Sequence, residues 1–234
     1  MSGRTSLVSG MPPDLPFSQF DISENANVIL QQHGYLRFRE YLNPLLACAV
    51  RREMLDQSRY QRADRQDNGP VGFRIGVIKP TSISLSPAVE SCCVFLRSRA
   101  FIRSLETLVS MPLRAAKEPA LFRMQRSDSI EVHDDICDDP LNRLSAVLHL
   151  SKDWKREFGG NLVIGRVQRI EIKESSNGYS MRRWYFSNER SVLTPIFNSL
   201  MLILLRPGMA HGVTPIVVNC ERLTIAATYR IARD

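Results

Sequence analysis

Long apolar runs are absent from this 234-residue sequence, and the absence excludes the simplest membrane topology. A membrane-spanning helix needs about 18 or more consecutive apolar residues. The longest apolar run here, Leu200 to Leu205, has only the length of a strand. The N-terminus also lacks a basic segment followed by an apolar one, so no secretory signal is predicted. The sequence therefore predicts a protein without a membrane anchor, which we expect in the cytoplasm.

Paired cysteine motifs and runs of like charge are also missing. The five cysteines cannot all pair, and they show no repeated C-x-x-C spacing, so neither a disulfide framework nor a zinc ribbon is predicted. The net charge of +7 comes from 31 basic and 24 acidic residues that are scattered along the chain. Because no nucleic-acid-binding motif accompanies this charge, the sequence argues against nucleic acid as a partner. An oligomer of identical chains remains compatible with it.

The remaining composition is that of a globular protein, with 44% apolar and 24% charged residues. Few apolar residues occur between Met1 and Pro16, and we expect a flexible leader there. Residues 17–234 are then a single domain, because no linker separates two cores. Helical patterns dominate residues 23–110, and short strands with turn signals dominate residues 120–231. This order predicts an α+β domain built on a barrel or jelly roll, with N-terminal supporting helices.

Three helix starts are expected in the first half. They lie at Ser23, at Asn43-Pro44 and at Ser86-Pro87, where a capping side chain or a first-turn proline precedes apolar residues at helical spacing. The third helix is expected to carry its apolar stripe as far as Leu108. Between the second and third helices lies a polar stretch, Gln57 to Pro80, which we interpret as a long loop that lines the site.

Two histidines at predicted strand ends indicate a metal site. His133 and Asp135 have the His-x-Asp spacing, and residues i and i+2 of an extended chain point to the same side. With His211 they make the 2-His-1-carboxylate set, which holds Fe(II) on one octahedral face and leaves the opposite face open. Asp134 is the competing carboxylate, but the i, i+2 geometry favours Asp135. His-x-Asp alone occurs by chance, so a second element is needed.

Arg222 supplies that second element. It lies eleven residues after His211 and opens the next predicted strand, where its guanidinium can bind a carboxylate through two parallel hydrogen bonds. Thr224 points to the same face of the strand and can add a hydroxyl donor, although an exposed strand threonine would fit the pattern equally well.

These motifs resemble those of the Fe(II)/2-oxoglutarate dioxygenases, and most closely the prolyl-hydroxylase-like branch. The resemblance covers about residues 121–231 and depends on several short motifs taken together. They are His133-Asp134-Asp135, Leu148-His149-Leu150-Ser151-Lys152-Asp153-Trp154, Gly159-Gly160-Asn161-Leu162, Phe197-Asn198-Ser199-Leu200, His211-Gly212-Val213 with Pro215, and Arg222 with Thr224. The resemblance implies a double-stranded β-helix, the jelly-roll or cupin-like fold.

The resemblance also implies the chemistry. His133, Asp135 and His211 would bind Fe(II), and Arg222, helped by Thr224, would bind the distal carboxylate of 2-oxoglutarate. O₂ would be the second cosubstrate, and succinate and CO₂ would be released as a C–H bond is hydroxylated. The family often has a tyrosine where this chain has His149, whose imidazole can donate to the same carboxylate.

Further details concern the cosubstrate and the reaction type. Gln125, on the strand before His133, is a further candidate for a cosubstrate contact. The family's halogenases replace the metal-binding carboxylate with a small residue, so the presence of Asp135 argues for hydroxylation or another oxidation.

The substrate is expected to be a small molecule, such as an amino acid or natural-product intermediate. Arginines in the stretches Gln57–Pro80 and Gln168–Thr194 would suit an anionic one. The alternative that the family branch suggests is a peptidyl side-chain hydroxylase. A non-enzymatic cupin-like sensor holding Zn²⁺ through the same triad is an alternative of another class, but it gives Arg222 no role. A nucleic-acid demethylase would have only the net charge in its favour.

Overall fold

The computed structural model describes residues 24–56, 60–65, 73–78, 85–136, 139–174 and 180–232. The predicted leader, the cap at Ser23 and parts of the stretch Gln57–Pro80 lie outside the described residues. The four helices are α1 Glu24–His33, α2 Pro44–Met54, α3 Pro87–Arg97 and α4 Arg99–Val109. The first seven strands are β1 Tyr35–Phe38, β2 Gln61–Arg65, β3 Phe73–Ile78, β4 Leu113–Ala115, β5 Ala120–Met124, β6 Ser129–His133 and β7 Asn142–His149. The remaining strands are β8 Leu162–Glu174, β9 Ser180–Leu193, β10 Ser199–Leu204, β11 Met209–Val213 and β12 Arg222–Ile231.

The strands form two layers that share one path of hydrogen bonds. The order is β1-β10-β7-β12-β5-β3-β6-β11-β8-β9, with β2 on β3 and β4 on β12. Strand β3 joins the layers, because Gly76 to Ile78 pair with β5 while Phe73 and Arg74 pair with β6. All the pairings in this path are antiparallel. This is the double-stranded β-helix expected from the sequence.

The helices cover one face of the first layer. Leu200, Leu202 and Leu204 of β10 pack into the cluster that contains the buried residues of α2, α3 and α4. The alternate residues Met201 and Ile203 pack instead against Leu162 and Ile164 of the second layer. This two-residue periodicity follows from the pleat, which points successive side chains to opposite faces. The space between the layers therefore receives every second residue of β7, β10 and β12.

In strand β12 the same alternation places apolar side chains on one face and polar side chains on the other. Leu223, Ile225 and Ala227 belong to the apolar cluster beneath the helices. Arg222 and Thr224 are also buried, but they point to the other face, between the layers. His149 ends β7 directly opposite Thr224 and points the same way. Three buried polar side chains therefore meet on the face of this sheet that points between the layers.

The structure corrects three expectations about the elements. The stretch Gln57–Pro80 is not only a loop, because β2 and β3 form a hairpin there that pairs with the jelly roll. The third predicted helix is two helices. Ser98 has extended backbone angles (φ −64°, ψ 145°) and accepts a hydrogen bond from the Phe101 N–H as the N-cap of α4. Residues 168–194 lie mostly in the long β8–β9 hairpin.

Other local expectations are confirmed. Asn43 caps α2 as predicted, by accepting from the Leu45 N–H at 2.9 Å. Within the described ranges, no helix is both long and apolar enough to cross a bilayer.

Candidate metal and cosubstrate site

His133, Asp135 and His211 meet at one point between β6 and β11. His133 and His211 are direct cross-strand partners, and their rings are 4.5 Å apart between centroids. Asp135 lies in the turn after β6, with its Oδ1 3.5 Å from His133 Nε2 and its Oδ2 3.6 Å from His211 Nε2. One ligand atom from each residue lies within 4.8 Å of the others. Two imidazole nitrogens and one carboxylate oxygen can therefore bind a single ion.

The ring of His133 is oriented by its own strand. Its Nδ1 lies 2.8 Å from the carbonyl oxygen of Glu131, to which a protonated Nδ1 donates. This contact leaves Nε2 unprotonated in the neutral ring and directs that nitrogen toward Asp135. The orientation is the one that a metal ligand needs.

The ionisation of the cluster also suits a cation. Burial is the larger cause and the nearby His133 the smaller cause that together lower the pKa of His211 to about 4. Its imidazole is therefore neutral near pH 7. Burial acts to raise the pKa of Asp135, but a hydrogen bond from His133 and the charges of His211 and His133, when these rings are protonated, outweigh it and hold that pKa below its usual range. A neutral imidazole and an ionised carboxylate are the forms that bind a metal.

A buried guanidinium lies on the facing layer. Arg222 is 3% exposed, and its Nε donates to the carbonyl oxygen of Gly160 at 2.9 Å. Its Nη1 meets only the sulfur of Met124, at 3.4 Å. Among the described residues no carboxylate lies within ion-pair distance of Arg222. Burial lowers its pKa to about 10, so it stays charged at neutral pH without a partner of opposite charge.

His149 and Thr224 lie beside this guanidinium. Both are 2% exposed, and the two residues are paired across β7 and β12. The Nδ1 of His149 is buried without a hydrogen-bond partner. Burial, then the charges of Arg222 and Arg37, holds the pKa of His149 well below its ordinary value. A neutral imidazole with an unsatisfied nitrogen therefore lies next to an unpaired cation.

The family comparison agrees with this geometry. Residues 120–230 match the model of the 2OG-Fe(II) oxygenase superfamily, and this range contains all seven candidate site residues. Over this range, which is just under half of the chain, the sequence is similar to that superfamily. No match is found among the curated proteins.

Solved structures of other proteins share the fold of this chain. A Pseudomonas putida prolyl-4-hydroxylase is 18% identical, with 89% of this chain and 100% of that chain covered and a TM-score of 0.58. HygX from Streptomyces hygroscopicus, solved with nickel, 2-oxoglutarate and hygromycin B, is 15% identical over 90% and 88%, with a TM-score of 0.61. A Trichoplax adhaerens prolyl hydroxylase in complex with a peptide of hypoxia inducible factor is 14% identical over 88% and 87%, with a TM-score of 0.59.

The cofactors of 2OG-Fe(II) oxygenases fit the groups that the structure brings together. The triad offers the nitrogen and oxygen donors that suit Fe(II). Arg222 offers an unpaired cation, and His149 an unsatisfied nitrogen, for the carboxylate of 2-oxoglutarate. The triad and the guanidinium lie on different layers. A cosubstrate that chelates the metal at one end and binds Arg222 at the other would therefore span the interior.

The other predicted contact, Gln125, lies elsewhere. It follows β5, its side chain is exposed, and its backbone N–H donates to Asp128 Oδ2 at 2.8 Å. Its role at the cosubstrate remains a prediction. Asp134 makes a different contact from Asp135, because its Oδ2 accepts a hydrogen bond from Trp184 Nε1 at 3.4 Å.

Two neighbours of the site were not predicted from the sequence. Met124 touches the Arg222 guanidinium from β5, where its pairing with Arg222 places it. Gly160 is the second: it has φ +61°, and a Cβ there would lie 3.1 Å from Arg222 Cδ and 3.0 Å from Trp154 Cζ2. Gly159-Gly160 is one of the motifs that carry the resemblance, but only the structure shows that Gly160 leaves space for the arginine.

Proposed function

We propose that this protein hydroxylates an aliphatic C–H bond of a small molecule, such as an amino acid or a natural-product intermediate. In this proposal His133, Asp135 and His211 bind Fe(II), and Arg222, Thr224 and His149 hold the distal carboxylate of 2-oxoglutarate. The bound iron supplies oxidation driven by O₂ and by decarboxylation of 2-oxoglutarate. The residues of the chain bind, orient and desolvate the reactants.

The unpaired charge of Arg222 is the observation that carries the proposal. Burying a cation without a counter-charge is costly, and a native fold tolerates it mainly where a ligand completes the pair. A carboxylate in front of the guanidinium would supply two charge-assisted hydrogen bonds. A sensor that held only Zn²⁺ would leave this charge without a role.

The unsatisfied Nδ1 of His149 supports the same assignment. Burial keeps the imidazole neutral, so it carries a single N–H, and in the tautomer with that proton on Nδ1 the group can donate to a ligand. A carboxylate oxygen between Arg222 and His149 would accept from both. His149 would then donate the hydrogen bond that a tyrosine hydroxyl often donates in the family.

The kind of oxidation follows from Asp135. Its carboxylate occupies the position that a halogenase would leave free for chloride, and this supports hydroxylation. A peptidyl substrate is the alternative outcome of the tests.

Absorption spectroscopy tests the cofactor assignment. Fe(II) and 2-oxoglutarate are added to the protein without oxygen, and a weak visible metal-to-ligand band is expected. Lys152, exposed after β7, provides a control, because Lys152→Gln is expected to leave the band unchanged while His211→Ala abolishes it. A wild-type protein without the band, or a His211→Ala protein that binds iron as tightly as wild type, would contradict the assignment.

A further inference from the structure

The β8–β9 hairpin has two faces of different character. Its strands pair antiparallel, so residues directly opposite each other share a face. One face carries Ile170 opposite Trp184 and Ile172 opposite Arg182. The other carries the alternate residues, beginning with Glu171 opposite Arg183. We refer to the set Ile170, Ile172, Arg182 and Trp184 as the isoleucine face.

The opposite face is satisfied internally. The guanidinium of Arg169 stacks on the ring of Tyr185 at 4.3 Å and forms an ion pair with Glu171 at 2.8 Å. The hydroxyl of Tyr185 donates to the same carboxylate at 2.7 Å. Arg183 lies directly across from Glu171. On this face Glu171 is therefore paired within the hairpin, and the apolar surface of the Tyr185 ring is covered by Arg169.

The isoleucine face has neither its charge nor its apolar surface matched. In the described part of the chain, no carboxylate lies within ion-pair distance of Arg182. Ile170 and Ile172 are 47% and 64% exposed, and both rank among the exposed large apolar side chains of the protein. Two neighbouring isoleucines in water beside an unpaired guanidinium form an amphiphilic surface that lacks its complement.

One end of this face reaches the turn after β6 that carries Asp135. Trp184 is 6% exposed, and its Nε1 donates to Asp134, the residue between the two metal-ligand candidates of the β6 turn. Arg182 lies two residues before Trp184 in β9, which places it about 7 Å from Trp184 at the spacing of an extended strand. A molecule on the isoleucine face would therefore extend from beside the triad toward Arg182.

We propose that the isoleucine face binds the substrate, and that the substrate is an amphiphile with an apolar body and one carboxylate. The apolar body lies on Ile170 and Ile172, and Arg182 binds the carboxylate. The single planar guanidinium on this face matches one carboxylate, since Arg183 points to the other face. This inference rests on the proposed function and narrows its substrate class.

Titration calorimetry with octanoate as the probe tests the proposal. The protein is loaded with Fe(II) and saturating 2-oxoglutarate without oxygen, so that the cosubstrate already occupies Arg222. Octanoate is expected to bind at least tenfold more tightly than octan-1-ol, octylammonium or acetate. Equal binding of octan-1-ol or octylammonium would overturn the carboxylate assignment, and equal binding of acetate would overturn the apolar one.

Two arginine variants make a matched pair. Arg182→Gln and Arg183→Gln remove the same charge from adjacent positions on opposite faces of β9. Arg182→Gln is expected to weaken octanoate binding about tenfold or more, whereas Arg183→Gln changes it less than twofold. Ile172→Thr, at an exposed position, should also weaken octanoate binding. Equal affinities in wild type, Arg182→Gln and Arg183→Gln would overturn the proposal.

The cofactor band is recorded in the same samples. A wild-type band with no effect of Arg182→Gln on octanoate would reject the isoleucine face while the oxygenase assignment stands. A missing band in wild type would contradict the proposed function itself, whatever the probe does.

Discussion

Replacing Arg222 by Met should make the protein without cosubstrate more stable and should strongly weaken its affinity for 2-oxoglutarate. The guanidinium is 3% exposed and has no counter-charge among the described residues. Its pKa falls from 12.5 to about 10 through burial, which corresponds to about 3 kcal/mol of unfavourable desolvation of the charged form. Methionine of similar length removes that cost.

The gain is offset by one lost hydrogen bond. Arg222 Nε donates to the carbonyl oxygen of Gly160, and leaving that oxygen without its donor costs about 1–3 kcal/mol. The net stabilisation is therefore about 1 kcal/mol, or a melting temperature about 2–4 °C higher for a chain of this length. Loss of the charge should weaken 2-oxoglutarate binding by about 2–5 kcal/mol, which is roughly 30-fold to several thousandfold.

Calorimetric melting with and without 2-oxoglutarate separates the two effects. At 100 times the wild-type dissociation constant, the cosubstrate should stabilise wild type by about 2.7 kcal/mol and Arg222→Met by less than about 1 kcal/mol. Arg123→Met is the control, because that buried arginine already pairs with Glu221. It should lower stability and leave cosubstrate affinity unchanged. An Arg222→Met protein that is less stable than wild type and still binds 2-oxoglutarate would refute the reasoning.

Other changes at the site have equally definite outcomes. Asp135→Asn should lose iron in a metal-binding titration, whereas Asp134→Asn should keep it, because only Asp135 lies near both histidines. His149→Phe should weaken 2-oxoglutarate binding about tenfold in calorimetry, and His149→Tyr, which retains a donor, should recover most of it. Because the folded pKa of His149 lies below 6.5, the unfolded chain takes up the extra proton, so wild-type stability should fall as pH drops below 6.5. His149→Phe should reduce that slope in urea unfolding; an unchanged slope would place the titration elsewhere, for instance at His211. Gly160→Ala should cost about 1–2 kcal/mol in the same assay, because of its positive φ, and should weaken 2-oxoglutarate binding by displacing the guanidinium.

The sequence predicted the candidate site better than the fold around it. His133 and Asp135 could be assigned as candidates because their relation is local. Two side chains that are two residues apart on an extended chain point to the same side. Arg222 and Thr224 could be assigned to one face for the same reason. Gly160 shows the limit, since the arginine it makes room for is 62 residues away.

The elements that sequence reasoning missed depend on contacts far apart in the chain. Strand β3 pairs with β5 and β6, more than forty residues later. Its Phe73, Ile75 and Val77 alternate as in a strand, but the polar residues before it led to the interpretation of the whole stretch as a loop. The break between α3 and α4 had a local signal, because Ser98 is a good N-cap. That signal was hidden by an apolar stripe that continues on both sides of it.

The two halves of the site follow from two strand pairings. The pairing of β6 with β11 sets His133 opposite His211, and the pairing of β7 with β12 sets His149 opposite Thr224, next to Arg222. Because the pairs belong to different layers, the distance from metal to guanidinium is set by how the layers pack through Met201, Ile203 and their partners. A cavity-forming change in that packing, away from every polar group, should therefore weaken 2-oxoglutarate binding while the triad still binds iron.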